Sequence, residues 1–119
     1  MKRSDKRLDL VFRALGDRTR RALLARLARK PAMVTELAAP FKMSLPAVSK
    51  HLKVLERAHL VARDVDGRVH RCSLDAAPLR EAEHWLQRYR PFWTQTLDAL
   101  ARYVEEDPRS ASTDSRETP

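Results

Sequence analysis

Residues 44–57 carry the side chains with the most evident binding chemistry in this sequence. On a helix of 3.6 residues per turn, Lys50, Lys53 and Arg57 fall on one face of the stretch. The polar and small residues at its start, on that face and on its flanks are Ser44, Pro46, Ala47, Ser49 and His51. Lysine and arginine donate hydrogen bonds to anions, and serine and histidine can donate or accept. The pattern predicts noncovalent binding of a negatively charged partner, with a merely solvated basic face as the alternative.

An apolar stripe on the opposite side of the same stretch predicts which face is buried. Its members, spaced i, i+3, i+7 and i+10, are Leu45, Val48, Leu52 and Leu55. Ser44 is suited to cap the helix, and Pro46 is suited to the first turn, where a missing N–H breaks no hydrogen bond. We therefore expect a helix that packs by its apolar stripe and presents the basic face outward.

The elements before this helix complete a helix-turn-helix. The spacing of the apolar residues Leu8, Val11, Phe12 and Leu15 predicts a short amphipathic first helix. Asp17 is a candidate N-cap for a second helix, which Pro31 should end, and Thr35 is a candidate N-cap for a short third helix. Two short helices joined by a tight turn, the second with a basic outer face, form a helix-turn-helix.

Residues 60–74 have the pattern of a β-hairpin. Asp66-Gly67 is a strong two-residue turn signal, because both central positions of a type I′ turn have positive φ. This turn would pair Val65 with Arg68, Arg63 with His70, and Val61 with Cys72. The basic residues would then be Arg63, Arg68 and His70 on one face and Arg71 on the other. A basic hairpin after a helix-turn-helix predicts the wing of a winged helix; an ordinary surface hairpin is the alternative.

The C-terminal third carries a long apolar seam. Its members, spaced alternately by three and four residues, are Leu79, Ala82, Leu86, Tyr89, Trp93, Leu97, Leu100 and Val104. Pro91 should kink or split the helix. The stripe is long and aromatic for one small domain to cover, so we predict a homodimer interface that also includes Leu8 and Phe12. Packing of the seam on its own domain is the alternative.

Composition limits the organisation and the partner. The 119 residues form one domain, which we place at residues 1–104, followed by a polar tail at 105–119 that we expect to be disordered. Residues 1–30 hold 11 basic and 3 acidic side chains, within a net charge of +8 for the whole chain, which favours a nucleic-acid partner. A lone cysteine, no signal-peptide pattern and no long apolar run predict a soluble, cytoplasmic protein without a membrane partner.

Three segments together resemble the ArsR family of winged-helix transcriptional regulators: FRALGDRTRRALLARL, VTELAAPFKMSLPAVSKHLKVLERAHLV and DGRVHRCSL. The likeness covers residues 8–74 in motif detail. It implies a homodimer that binds an operator and usually represses. It also implies that residues 44–57 are the recognition helix, with Pro46, Ala47, Ser49, Lys50 and His51 at the groove, and that Arg63, Arg68, His70 and Arg71 contact the DNA backbone or minor groove.

The chain departs from the metal-sensing members of that family. Those members carry a cysteine pair in the helix before the recognition helix, where this chain has Ala38 and Ala39. A second family site uses histidine and carboxylate ligands on the C-terminal helix, and Glu81 with His84 would supply only half of it. We therefore expect no metal site and no cofactor, and the sequence identifies no effector.

The combined prediction is a mainly α, dimeric winged helix-turn-helix with a small β-hairpin and a long C-terminal helical segment. Its predicted function is sequence-specific transcriptional regulation, most simply as a dimeric repressor on a palindromic operator. An enzyme is not indicated, because the chain has no phosphate loop and no nucleophile–base pattern. The alternatives are a nucleoid-type binder without sequence preference, a metal-responsive repressor using a His/carboxylate site, and a winged helix that binds only proteins.

Overall fold

The computed structural model describes residues 3–106, except for the side chains of Ser4 and Glu106. The chain divides between Glu83 and His84 into two compact units. In chain order the helices are α1 (Arg3–Leu15), α2 (Arg18–Leu27), α3 (Val34–Ala38), α4 (Leu45–Arg57), α5 (Ala77–Leu86) and α6 (Arg90–Glu106). The strands are β1 (Ala32–Met33), β2 (Val61–Asp66) and β3 (Val69–Leu74), and the 3-10 turn Gln87–Tyr89 lies between α5 and α6. The mainly α winged helix-turn-helix prediction is confirmed.

Local capping explains where α2, α3 and α4 begin. The side chain of Asp17 accepts from the backbone N–H of Arg20 at 3.0 Å, and the hydroxyl of Ser44 accepts from the N–H of Ala47 at 3.2 Å. Both residues are therefore N-caps, as predicted. The prediction for Thr35 is wrong: the N-cap is Met33, two residues earlier, and the carboxylate of Glu36 accepts from the backbone N–H of Met33 at 2.9 Å.

The sheet differs from the predicted hairpin in strand number and in register. A short strand, β1, pairs antiparallel with β3, so the strand order is β1-β3-β2. The turn consists of Gly67 and Arg68, because Asp66 pairs with Val69. Gly67 has a φ of 61°, as the first position of a type II′ turn requires, whereas we had expected it at the second position of a type I′ turn. As a result Arg68 lies in the turn.

The corrected register also changes the partners of the remaining wing residues. His70 lies opposite Val65, and Cys72 lies opposite Arg63. The predicted pairs of Arg63 with His70 and of Val61 with Cys72 are therefore wrong. Each residue nevertheless keeps its predicted face, because the pairing has moved by two residues and side chains alternate with a period of two.

The core of the first unit is built from all its helices and the inner face of the sheet. Its fully buried side chains include Val11, Leu23, Leu37, Val48, Leu52, Leu55, Leu60 and Cys72. Leu45 is the exception in the predicted stripe of α4, with 47% of its surface exposed. At the other end of the unit, Ala82 is buried and Leu79 packs against the same core. The first part of the predicted C-terminal seam therefore belongs to this core.

The second unit contains the break that Pro91 predicted. The 3-10 turn precedes α6, and Pro91 occupies the first turn of that helix, where its missing N–H costs no helical bond. Aromatic rings accompany the break: the centroids of Trp85 and Tyr89 lie 5.2 Å apart, and those of Tyr89 and Phe92 lie 6.5 Å apart. Helix α6 runs to Glu106, two residues beyond the predicted domain end. The rest of the predicted tail lies outside the described residues.

Candidate nucleic-acid interface

Helix α4 presents the face that the sequence predicted. The side chains of Pro46, Lys50, Lys53 and Arg57 are exposed, whereas Ala47, Ser49 and His51 are half-buried on its flanks. Ser44 is exposed too, although its hydroxyl already serves the helix as a cap. The opposite side is fixed by the complete burial of Val48, Leu52 and Leu55. Because three fully buried side chains hold the helix, its basic face has a defined orientation.

The start of α4 and the wing line one cleft of about 290 Å³. Its wall includes Leu45 and Ser49 from α4, and Arg68 and His70 from the wing. The cleft thus brings residues of α4 next to residues of the wing, and three of these four, Ser49, Arg68 and His70, were predicted to contact DNA. The exposure of Leu45 has a place here, because the residue contributes an apolar wall to the cleft.

Arg63 ties the wing to α4. Its Nε donates to Oε1 of Glu56 at 3.1 Å, and its NH2 donates to Oε2 of the same carboxylate at 2.9 Å. Its NH1 also lies 3.3 Å from Nδ1 of His70. Only 17% of the Arg63 side-chain surface is exposed. Bidentate arginine–carboxylate pairs are among the strongest and most directional in proteins, so this contact positions the wing against α4.

His51 is joined to the start of α2. Its Nδ1 lies 3.3 Å from NH1 of Arg20 and 3.7 Å from Oδ2 of Asp17. The backbone N–H of Arg20, followed by smaller contributions that include His51, lowers the pKa of Asp17 below its ordinary value. Asp17 is therefore an anion at neutral pH, and this flank of α4 is charged as well as packed.

Arginines of α2 complete the end of α1, a role that the sequence analysis missed. Arg20 donates from Nε to the carbonyl of Ala14 at 2.8 Å and from NH2 to that of Arg13 at 3.0 Å. Arg21 donates to the carbonyl of Leu15 at 2.8 Å. The last carbonyls of a helix lack partners within it, so these arginines stabilise the α1 end. Part of the basic charge at residues 1–30 is thus structural. The sequence signal that could have indicated this is the position of Arg20 and Arg21 just after Gly16-Asp17, where one helix ends and the next begins.

The other predicted wing residues lie apart from one another. Arg68 occupies the turn, and Arg71 lies opposite Asp64, on the face that does not carry Arg63 and His70. Both arginines are exposed. The wing therefore offers one cation at its tip, in the wall of the cleft, and another on its outer face.

Two of the residues weighed as metal ligands or reactive groups, Glu81 and Cys72, have other surroundings in the fold. Glu81 pairs with Arg7 at 3.5 Å. Cys72 is fully buried, and desolvation raises the pKa of its thiol. Across residues 3–106 no group of three or more histidine, cysteine or carboxylate side chains is arranged to hold a metal ion. No helix in that range is long and apolar enough to cross a membrane.

The residues predicted for a dimer interface divide into two kinds. Leu8 is half-buried and packs against the core of the first unit. The others are exposed by between 37% and 61%: Phe12, Leu86, Tyr89, Trp93, Leu97 and Leu100. Their role in dimerisation stays a prediction.

Known proteins resemble this chain across both its helix-turn-helix and most of its length. Residues 15–64 match the model of a helix-turn-helix domain. The HTH-type transcriptional regulator Rv2034 of Mycobacterium tuberculosis is 40% identical over 83% of this chain and 90% of its own length. The transcriptional repressor SdpR of Bacillus subtilis is 29% identical over 66% of this chain and 88% of its own.

A crystal structure of an ArsR family transcriptional regulator superposes with a TM-score of 0.72 at 40% identity, covering 79% of this chain and 97% of that one. Together with the relative that is 40% identical over most of the chain, it shows that this protein belongs to the ArsR family of winged helix-turn-helix transcriptional regulators.

Proposed function

We propose that the protein is a dimeric transcriptional repressor that binds a palindromic operator through α4 and the wing. The observation that carries the proposal is the shared cleft, where Ser49 of the exposed face of α4 meets Arg68 and His70 of the wing. A helix of this width fits the major groove, and a basic hairpin beside it can follow the backbone. Repression is supported by the name of the repressor relative. Such a protein works in the cytoplasm, on the nucleoid.

The residues divide into those that read bases and those that hold the backbone. Ser49 and Lys50, near the start of α4, are assigned to base edges, together with the small residues Pro46 and Ala47 that allow close approach. The cations placed at phosphates are Lys53, Arg57, Arg68 and Arg71. Arg63 differs from the earlier expectation: because its guanidinium is satisfied by Glu56, we assign it to positioning the wing.

Two copies are needed for useful affinity. One winged helix contacts one half-site, and its phosphate contacts alone give weak, salt-sensitive binding. Joining two copies makes the second half-site contact intramolecular, so affinity rises without a new protein–DNA contact. We assign the joining surface to the exposed apolar residues of the second unit with Phe12 of α1. A two-fold dimer predicts half-sites about 10 base pairs apart.

Selection of bound sequences from random duplexes tests the proposal. We expect a palindrome with half-sites about one helical turn apart, bound at least about 10³-fold more tightly than random duplex at the same salt. Recovery of unrelated sequences with equal affinity would instead identify a nucleoid-type binder.

A pair of variants tests the division of roles on the recovered sequence. Lys50→Ala should relax the base preference at one position of each half-site and cost about 1–3 kcal/mol. Arg68→Ala should weaken binding to all sequences alike and make the salt dependence less steep. The reverse result, with Arg68→Ala changing the chosen sequence, would contradict the assignment.

A further inference from the structure

Two histidines flank the exposed face of α4, and each has an arginine at the same ring nitrogen. NH1 of Arg20 lies 3.3 Å from Nδ1 of His51, and NH1 of Arg63 lies 3.3 Å from Nδ1 of His70. A guanidinium group has only donors, so Nδ1 must accept in both contacts. A neutral imidazole that accepts at Nδ1 carries its proton on Nε2.

Each arginine is held in place by further hydrogen bonds. Arg20 donates to the carbonyls of Arg13 and Ala14, at 3.0 and 2.8 Å. Arg63 donates twice to the carboxylate of Glu56, at 3.1 and 2.9 Å. Because both guanidinium groups are anchored on their other edges, each NH1 points at its histidine without further loss of side-chain freedom.

The charged groups that face the rings agree with this protonation. Asp17 could accept from a protonated Nδ1 of His51, but the two atoms are 3.7 Å apart and Oδ2 already accepts from the N–H of Arg20 at 3.0 Å. A proton on Nδ1 would also point at the arginine cation. His70 faces Arg63, whose charge is paired with Glu56, and shares its cleft with Arg68. A proton on Nδ1 of His70 would meet the donor NH1 of Arg63.

The opposite edge of each ring is available to a partner. Within residues 3–106, no hydrogen bond reaches Nε2 of His51 or His70. Both side chains are half-buried, one beside the start of α2 and the other in the cleft with Ser49.

We propose that Arg20 and Arg63 are positioning residues that hold His51 and His70 as neutral Nε2–H donors for phosphate oxygens on the two sides of α4. The proposal rests on the proposed function, since it deepens the account of the same interface. A neutral donor adds direction to the contact but displaces no counterion. Losing it should weaken DNA binding without changing the salt slope, unlike the loss of a lysine.

The first test needs no DNA. Long-range proton–nitrogen spectra of the full chain with ¹⁵N-labelled histidine, recorded at a pH where the rings are neutral, report which nitrogen of each ring is protonated. We expect a fully protonated Nε2 and an accepting Nδ1 for His51 and His70, with averaged tautomers for His59 and His84. Arg20→Met should give His51 averaged tautomers, whereas the control Arg18→Met should leave the proton of His51 on Nε2. A proton on Nδ1 of either ring in the unmodified protein would overturn the proposal for that ring.

The second test uses amides that mimic one edge of the ring. Asparagine places an oxygen where Nδ1 was, so His51→Asn keeps an acceptor for Arg20 but loses the outer donor. Glutamine places its amide nitrogen near the Nε2 position, so His51→Gln keeps the outer donor. The same pair applies to His70.

The measured quantity is affinity for the selected duplex and for a mixed-sequence duplex of about 30 base pairs, across a salt series. We expect the asparagine variants to bind about tenfold or more weakly with an unchanged salt slope, and the glutamine variants to retain most of the affinity. The opposite result, with weak binding by the glutamine variants and normal binding by the asparagine variants, would show that the outer donor is not needed. It would contradict the proposal and leave the histidines a purely structural role. If no preferred sequence is recovered, the proposed function fails, while the spectra and the mixed duplex still decide this proposal.

Discussion

The two units of this chain differ in how completely they bury their own apolar surface. In the first unit every helix and the sheet contribute to one core, whose buried residues run from Val11 to Ala82. In the second unit no residue from His84 to Glu105 is fully buried, and Phe92, Leu97 and Leu100 are exposed by 69%, 61% and 56%. Exposed apolar residues on one helix are typical of an interaction site, and we propose that this one is the dimer interface.

This difference in buried apolar surface indicates how each unit is stabilised. Helix α6 has 17 residues, and an isolated helix of that length is only marginally stable in water. Helices in proteins gain most of their stability from packing of an apolar face. The first unit supplies that packing within the chain, and for the second unit we propose that a second copy of the chain supplies it. The comparison predicts that changes in the first unit alter stability independently of protein concentration, and that changes in the second alter association.

The largest expected effect is loss of the proposed dimer. Leu97→Glu would place an unpaired charge in an apolar interface, at a cost of several kcal/mol. We expect a monomeric protein that is still helical in its first unit and that no longer binds operator at moderate salt. Sedimentation and circular dichroism on one sample measure both properties. Gln95→Glu, on the opposite side of α6, is the matched control and should remain dimeric. An unchanged dimer in Leu97→Glu would place the interface elsewhere.

A second prediction compares the same truncation in the two units. Leu52 is completely buried, so Leu52→Ala should lower the free energy of unfolding by about 2–5 kcal/mol at every protein concentration. Leu100→Ala removes the same atoms from an exposed site, and its cost should appear only as a higher dimer dissociation constant. Urea unfolding at two protein concentrations distinguishes these results. A concentration-independent loss in Leu100→Ala would show that the second unit has an internal core.

The sequence predicted α4 and its caps because helical periodicity and capping are local. The strand register is different: moving the pairing by two residues keeps every side chain on its face, so the apolar pattern of β2 and β3 fits both registers. The turn determines which of the two registers forms, and Gly67 can provide the positive φ at either position of the two-residue loop. β1 has only two residues, too few for any alternation to be seen.

The candidate interface was predicted in its residues but not in its internal contacts. Lys50, Lys53 and Arg57 follow from the helical spacing alone. The pairing of Arg63 with Glu56, and of His51 with Arg20, joins residues on different elements. Side-chain partners of this kind depend on how the elements pack, which no spacing within one element reveals. The sequence therefore identified cations, and the structure separates those that hold the fold from those that remain available.

A smaller effect is expected at the cap of α2. Asp17→Ala removes the acceptor for the N–H of Arg20 and should lower the free energy of unfolding by about 0.5–2 kcal/mol at neutral pH. Hydrogen bonding from that N–H lowers the pKa of Asp17 in the folded state, so the folded protein binds the proton less tightly than the unfolded chain. The stabilisation from the charged cap is therefore complete above the ordinary aspartate pKa of about 4 and is lost as the pH falls through the lower folded pKa.

Urea unfolding of the wild type and Asp17→Asn across this acidic range measures that term. Asparagine also caps helices but carries no charge, so the difference between the two proteins should shrink on acidification. Because the cap lies in the first unit, the difference should not depend on protein concentration. A constant difference across the acidic range would mean that the charge of Asp17 contributes nothing to the cap.

The smallest effect concerns the end of α4, where His59 has a φ of 60°. The N–H of Leu60 donates to the carbonyl of Leu55 at 3.0 Å, and that of His59 donates to Glu56 at 2.9 Å, the two bonds of a Schellman motif. Glycine is favoured at this left-handed position because it has no Cβ. Its greater freedom in the unfolded chain offsets part of the gain. Since the His59 side chain is exposed, His59→Gly should raise the free energy of unfolding by about 0.5–1 kcal/mol, leaving the dimer unchanged. His59→Ala keeps a Cβ at positive φ, so it should give no such gain in the same urea titrations. Equal stabilisation by both variants would show that the imidazole itself, and not the backbone conformation, is unfavourable there.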